Sequence, residues 1–235
     1  MQADGADVID IGGESTRPGA EPVPADEELR RVLPVLEGLA GRVKVPISVD
    51  TYKARVAEAA LDRGAAIVND ISGLLYEPPL GDVAARRGAA LVLMHHRGRS
   101  SDMYREATYS DVVGEVAAEL SQRIAAAVSA GVPRDRIILD PGLGFAKRPE
   151  HSFATLARLD RLTELDRPLL VGASRKSFLR TAIGDRPASE RFWATAAAVT
   201  AAVLNGAHLV RVHDVKEMVD VVRTADRIRM ASETA

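Results

Sequence analysis

Seven short stretches of this sequence close on residues that can bind or ionise, and their types are chemically complementary. They read Gly12-Gly13-Glu14-Ser15-Thr16-Arg17-Pro18-Gly19, Ser48-Val49-Asp50-Thr51, Asn69-Asp70-Ile71-Ser72-Gly73, Met94-His95-His96-Arg97-Gly98, Asp140-Pro141-Gly142-Leu143-Gly144-Phe145, Gly172-Ala173-Ser174-Arg175-Lys176-Ser177 and Arg211-Val212-His213-Asp214. Asp50, Asn69 and Asp140 offer carboxylate and amide groups suited to the donor and acceptor edges of a flat, nitrogen-rich heterocycle. Arg211 and His213 lie two apart. On an extended segment this places them on one side, where charge-assisted hydrogen bonds can hold phosphate or diphosphate oxygens. Lys176 can bridge the two halves, since an ammonium meets both a ring carbonyl and an anion. Thr16-Arg17, in a loop bounded by Gly and Pro, can close over a second substrate. Such chemistry needs orientation and electrostatics rather than a nucleophilic side chain.

Each stretch also has a purely structural reading. Gly12-Gly13 with Pro18-Gly19 makes a turn. Asp50 before Thr51 can cap a helix. Asp140-Pro141-Gly142 is a common turn sequence, and Asn69 can cap its own loop. A lone histidine such as His95 or His208 is more often a hydrogen-bonded structural residue than a ligand. The functional reading gains only if the elements carrying these stretches aim them at one place.

Those elements are apolar, β-branched runs at 7–11, 45–49, 66–71, 89–94, 136–139, 168–171 and 208–212, which read as buried strands. Helical stretches lie between them. Val112, Val113, Val116, Ala117, Leu120, Ile124 and Val128 give a clear period of 3.6. Gly64, Gly88 and Gly206 stand where helix ends are expected. This alternation implies βαβ units and a parallel sheet. Seven strands in 235 residues suit an α/β TIM (β/α)8 barrel, typically about 250 residues long, whose first strand is missing from this chain. They suit an open doubly wound sheet less well. No linker divides the chain, so residues 1–235 are expected to form one barrel domain. In such a barrel the C-terminal strand ends carry the chemistry, and here those ends are polar while the N-terminal ends are not. Residues 97–108 are expected to be a mobile loop.

Composition narrows the partners. With 31 Lys plus Arg against 33 Asp plus Glu, the net charge is -2, and nothing points to nucleic acid. No apolar run approaches the roughly 20 residues of a membrane span. The absence of Cys excludes disulfides and thiolate metal sites. No charged-then-apolar leader opens the sequence, so the cytoplasm is the expected location. P-loop, GxGxxG and GxSxG signatures are absent.

The ordered set of motifs resembles dihydropteroate synthase, the pterin-binding enzyme family of folate biosynthesis. The most specific stretches are Gly13-Glu14-Ser15-Thr16-Arg17-Pro18-Gly19, Ser174-Arg175-Lys176-Ser177-Phe178-Leu179 and Arg211-Val212-His213-Asp214-Val215. The resemblance spans nearly the whole chain. It implies a transferase that joins para-aminobenzoate to the methyl carbon of a dihydropterin diphosphate, with diphosphate leaving first. It implies Asp50, Asn69, Asp140, Lys176, Met94 and Gly172 around the pterin. Arg211, His213 and Thr16 would hold the diphosphate. Thr16, Arg17, Phe145, Ser174 and Arg175 would surround the aminobenzoate, where sulfonamides compete. Lys176, Asp140 and Arg17 would be the catalytic set. It also implies Mg²⁺ as cofactor and a homodimer. The family's metal-contacting Asn lies in a first strand and loop reading roughly N-V-T-P-D-S-F, which is absent here, so no metal ligand is assigned. Smaller departures are His96 where Met is frequent, Ala146 where Gly is usual, and Ser152 where Asn is usual. Two other readings stay open: a truncated, inactive or binding-only homologue, and a methyltetrahydrofolate-dependent methyl transferase.

Overall fold

The computed structural model describes residues 1–233 except 18, 100–103 and 106. Pro18 of the first polar stretch, and part of the expected mobile loop, therefore lie outside the described residues.

Among the described residues seven strands form: β1 Ile9–Gly12, β2 Ile47–Asp50, β3 Ile67–Asp70, β4 Ala90–Met94, β5 Ile137–Asp140, β6 Leu170–Val171 and β7 Leu209–Val210. Each falls within or against one of the apolar runs, and every ladder is parallel. Spatial order follows chain order from β1 to β5, and β6 pairs with β7. A single parallel bridge from Leu139 to Leu169 joins the two sheets. The last strands are shorter than the apolar runs suggest. Pro168 explains one end: it has no N–H to donate, and only its carbonyl joins in, accepting the Leu139 N–H at 2.9 Å.

The described residues also form eight α-helices, between and after the strands: α1 Ala25–Leu39, α2 Ala54–Leu61, α3 Pro79–Arg87, α4 Val112–Ser129, α5 Pro149–Ala157, α6 Arg180–Ile183, α7 Phe192–Leu204 and α8 Val215–Glu233. The predicted stripe on α4 is its buried face as far as Ile124, with Val113, Val116, Leu120 and Ile124 all inside, but Val128 in the last turn is exposed. Gly88 ends α3 in the left-handed conformation at φ 62°, and Arg86 and Arg87 sit in the last turn, where cations complement the helix dipole.

The sheet turns back on itself. Arg211, one residue past β7, donates from Nε to Asp10 Oδ2 of β1 at 2.6 Å. Yet β1 and β7 form no ladder with each other among the described residues. The arrangement is that of (β/α)8 barrel staves, seven in number, with β1 and β7 facing across an open seam.

Candidate active site

Strand periodicity decides which polar groups meet. Registered partners in a parallel sheet share a face, and alternate residues share it along a strand. Gly12 is opposite Asp50, Asp50 opposite Asn69, Asn69 opposite Val92, and Val92 opposite Ile138. Two residues along each strand, Asp10, Met94 and Asp140 join that face. The inner face therefore carries Asp10, Asp50, Asn69, Met94 and Asp140 at one end. Asp70 is on the other face, and its carboxylate caps its own turn, accepting from Ser72 N, Ser72 Oγ and Leu74 N. Neighbours in sequence, Asn69 and Asp70 are divided between binding and architecture by the pleat.

Asp50, Asn69 and Asp10 form the first cluster. Arg211 spans it, donating from Nε to Asp10 and from Nη2 to Asp50 Oδ2 at 2.8 Å. Asn69 Nδ2 donates to Asp10 Oδ2 at 3.3 Å. Burial and then the nearby Asp10 charge push the Asp50 carboxyl up to about 7, against the pull of Arg211. The sequence reading missed Asp10, although its position two before Gly12 on a strand was a signal for it.

Asp140 and Lys176 form the second. Asp140 Oδ1 accepts the Gly142 N–H at 2.7 Å. Burial raises its pKa, opposed first by the Lys176 charge. Burial lowers the Lys176 amine to about 8, opposed first by Asp140. Lys176 Nζ donates to Leu143 O at 2.5 Å and lies 4.6 Å from the centre of the Phe145 ring. Gly172 lies between: a Cβ there would meet Lys176 Nζ at 3.7 Å and Arg211 Cβ at 3.9 Å. At Gly142 (φ 67°) a Cβ would stand 2.1 Å from His95 O, so only glycine allows this close backbone approach beside Met94.

The expected pairing of Arg211 with His213 on one extended segment takes a different form, because β7 stops at Val210. His213 instead meets Ser174. Ser174 Oγ accepts the His213 backbone N–H at 3.3 Å and lies 2.8 Å from His213 Nδ1. Its own proton can go to Nδ1, which leaves the ring proton on Nε2. Burial, then Arg175 and Arg211, lower the His213 pKa. Arg175 is held by Asp214, with Nε 3.1 Å from Oδ2. Thr16 is half-buried and Arg17 exposed. The root of their loop is fixed by Glu14, which accepts from Tyr52 OH at 2.9 Å and pairs with Lys53. Lys53 also pairs with the fully buried Glu28 of α1. This ion cluster was not anticipated from sequence. Asp50 does not cap α2, whose N-cap residue is Lys53.

No group of three metal-ligating His, Asp or Glu side chains occurs among the described residues. Asp10 Oδ1, however, is buried without a hydrogen-bond partner. One such carboxylate is enough for Mg²⁺, which keeps several waters and takes its remaining ligands from substrate phosphates.

Two further residues shape the turn after β5. Ser152 Oγ accepts the Gly144 N–H at 3.1 Å. Ala146 is buried at φ 45°, and its carbonyl accepts Tyr109 OH at 2.9 Å. A Cβ is strained in the left-handed region by about 1–2 kcal/mol, against the greater unfolded-chain entropy of Gly. Ala146→Gly is therefore expected to stabilise the fold by about 0.5–1 kcal/mol, read as a raised midpoint in urea with an unchanged slope.

The family profile described as pterin binding enzyme matches residues 1–213. The folic acid synthesis protein fol1 of Schizosaccharomyces pombe is 47% identical over 97% of this chain, which spans about a third (32%) of that protein's length. The dihydropteroate synthase of Synechocystis is 45% identical over 97% of the chain and 79% of its own length. Among solved structures, the Yersinia pestis dihydropteroate synthase with a sulfonamide drug superposes with a TM-score of 0.94. It is 40% identical, covering 97% of this chain and 82% of that one.

Proposed function

This chain belongs to the pterin binding enzyme family, among its dihydropteroate synthases, and from that premise we propose that it makes dihydropteroate for folate biosynthesis. The substrates are a dihydropterin methyl diphosphate and para-aminobenzoate. The observation that carries the reading is the inner-face set of Asp10, Asp50, Asn69 and Asp140, with Arg211 and Lys176 set against it. These groups match a ring rich in N–H donors and carbonyl acceptors that ends in an anion.

In this reading Asp50, Asn69 and Asp140 hold the pterin edge, and Met94 and Gly172 line its slot. The C–O bond of the pterin methylene breaks, and its electron pair leaves on the diphosphate. The cation left behind is delocalised into the ring. Buried carboxylates at the ring edge stabilise that charge as it develops. Arg211 and His213 Nε2–H take the departing oxygens, with Thr16 closing from the first loop. The amine of para-aminobenzoate then forms the C–N bond and loses a proton to solvent. Phe145, Ser174, Arg175 and Arg17 surround it, and a sulfonamide, the kind of drug found with the Yersinia enzyme, would compete there. Mg²⁺ would be held by the diphosphate and Asp10, and it would neutralise charge on the leaving group.

No described helix is long and apolar enough to cross a membrane, and we place the enzyme in the cytoplasm. We also read it as a homodimer. Trp193 is 80% exposed and Leu204 40% exposed, eleven residues apart on α7 and therefore on one face. Trp193→Glu is expected to give a monomer by light scattering with the fold intact by circular dichroism.

The decisive experiment supplies dihydropterin diphosphate, para-aminobenzoate and Mg²⁺ and measures diphosphate release and dihydropteroate. Product that depends on both substrates is expected. Pterin binding by calorimetry without product would identify a binding-only protein. Methyl transfer from methyltetrahydrofolate would overturn the assignment.

A further inference from the structure

Lys147 takes no part in the chemistry above, yet it is among the largest fully buried side chains, at 1% exposure. Its Nζ has three acceptors: His95 Nδ1 at 2.8 Å, Gly142 O at 3.3 Å and Phe145 O at 3.3 Å. An ammonium has three protons and nothing to accept with, so the count matches. His95 Nδ1 can accept only if the ring proton is on Nε2. That nitrogen faces Glu119 Oε2 at 3.1 Å, an acceptor. Glu119 is held in turn by Arg97, which also donates to Glu115 at 2.8 Å and to Thr108 O at 2.8 Å. One network therefore ties both ends of the loop after β4, and α4, to the turn after β5.

That turn needs a tie. Gly142, Gly144 and Ala146 all have positive φ, so no regular ladder can hold it. On its far side the Phe145 ring meets Lys176 Nζ at 4.6 Å and the His96 ring at 5.7 Å. We propose that Lys147 is a positioning residue that clamps the Phe145 turn from behind and so sets the affinity for the arylamine substrate. The inference rests on the reading of Phe145 as a wall of the aminobenzoate pocket.

The surrounding charges make the clamp sensitive to pH. Burial lowers the Lys147 amine to about 7; Asp140 and Glu119 favour its protonation, and Lys176 and Arg97 oppose it. Burial, and then Lys147, lower His95 to about 4, so the imidazole stays a neutral acceptor near neutral pH. As pH rises through about 7 the amine loses one donor, and the hold on the turn weakens.

The test compares Lys147→Met, His95→Leu and His95→Asn. Asn places its amide oxygen near the Nδ1 position, so it keeps the acceptor that Leu removes. Lys147→Met and His95→Leu are expected to raise KM for para-aminobenzoate about tenfold, with kcat and the KM for dihydropterin diphosphate within about threefold of wild type. They also speed hydrogen exchange at the Gly144 and Phe145 amides. His95→Asn restores both readouts. An unchanged aminobenzoate KM and unchanged exchange in Lys147→Met overturn the proposal. So does His95→Asn proving as damaged as His95→Leu. The His95 pair decides the matter if Lys147→Met does not fold. A wild type without product whose exchange responds to these variants sinks the assigned reaction and leaves the clamp standing.

Discussion

Asp140→Asn is expected to lower kcat/KM for the pterin substrate about 10³-fold, equivalent to about 4 kcal/mol, in a chain that still folds. Asn has the same volume and keeps the acceptor for the Gly142 N–H at 2.7 Å. What disappears is a buried anion. A charge-assisted hydrogen bond contributes about 1.5–3 kcal/mol, and Asp140 supplies more than the ring contact. It is the first of the groups that keep Lys176 protonated against burial, which already lowers that amine to about 8. Without Asp140 the Lys176 pKa falls further. Lys176 acts as a cation below its pKa, so the alkaline limb of kcat/KM moves to lower pH. A pH–rate profile with an unmoved alkaline limb, or a loss below about tenfold, would show that Asp140 is only the turn residue its sequence also allows.

That double reading of Asp140 shows what the sequence disclosed. Apolar runs, helix periodicity and helix-end glycines carried the parallel α/β architecture, because each is local and the apolar runs recur once for every strand. The polar strand ends were legible too, since Asp50, Asn69 and Asp140 are the last residues of their strands or one before the last. Three features were not. Asp10 lies inside an apolar run, where its spacing from Gly12 is a faint signal that the pairing of β1 with β2 makes plain. The Lys147 network depends on a packing of β4, α4 and the β5 turn that no spacing encodes. The ion cluster of Lys53 with Glu14 and Glu28 joins the first loop, the turn after β2 and α1 across long separations in the chain. Local pattern gives the elements and their ends; long-range charge pairing appears only once the strands are set side by side.

Arg211 is the sharpest instance of such pairing, and Arg211→Lys is expected to lower kcat/KM for the pterin diphosphate about 10²-fold, or about 2.7 kcal/mol. Arginine offers five N–H donors in a planar fork. One goes to Asp10 at 2.6 Å and one to Asp50 at 2.8 Å. The rest remain at the mouth, where the side chain is 49% exposed and where the reaction asks for a grip on the leaving group. Lysine keeps the charge but is a point donor. It cannot span carboxylates on two strands and still face outward. Weaker pairing also leaves the Asp50 carboxyl, at about 7 through burial and Asp10, less opposed. Its pKa rises, and a carboxylate that must be ionised to hold the ring is then lost at higher pH as the solution is acidified. The acid limb of kcat/KM therefore moves up, and inhibition by inorganic diphosphate weakens about tenfold or more. The KM for para-aminobenzoate stays near the wild-type value. Diphosphate inhibition as tight as in wild type would separate Arg211 from the leaving group and leave it only the task of holding the seam between β1 and β7.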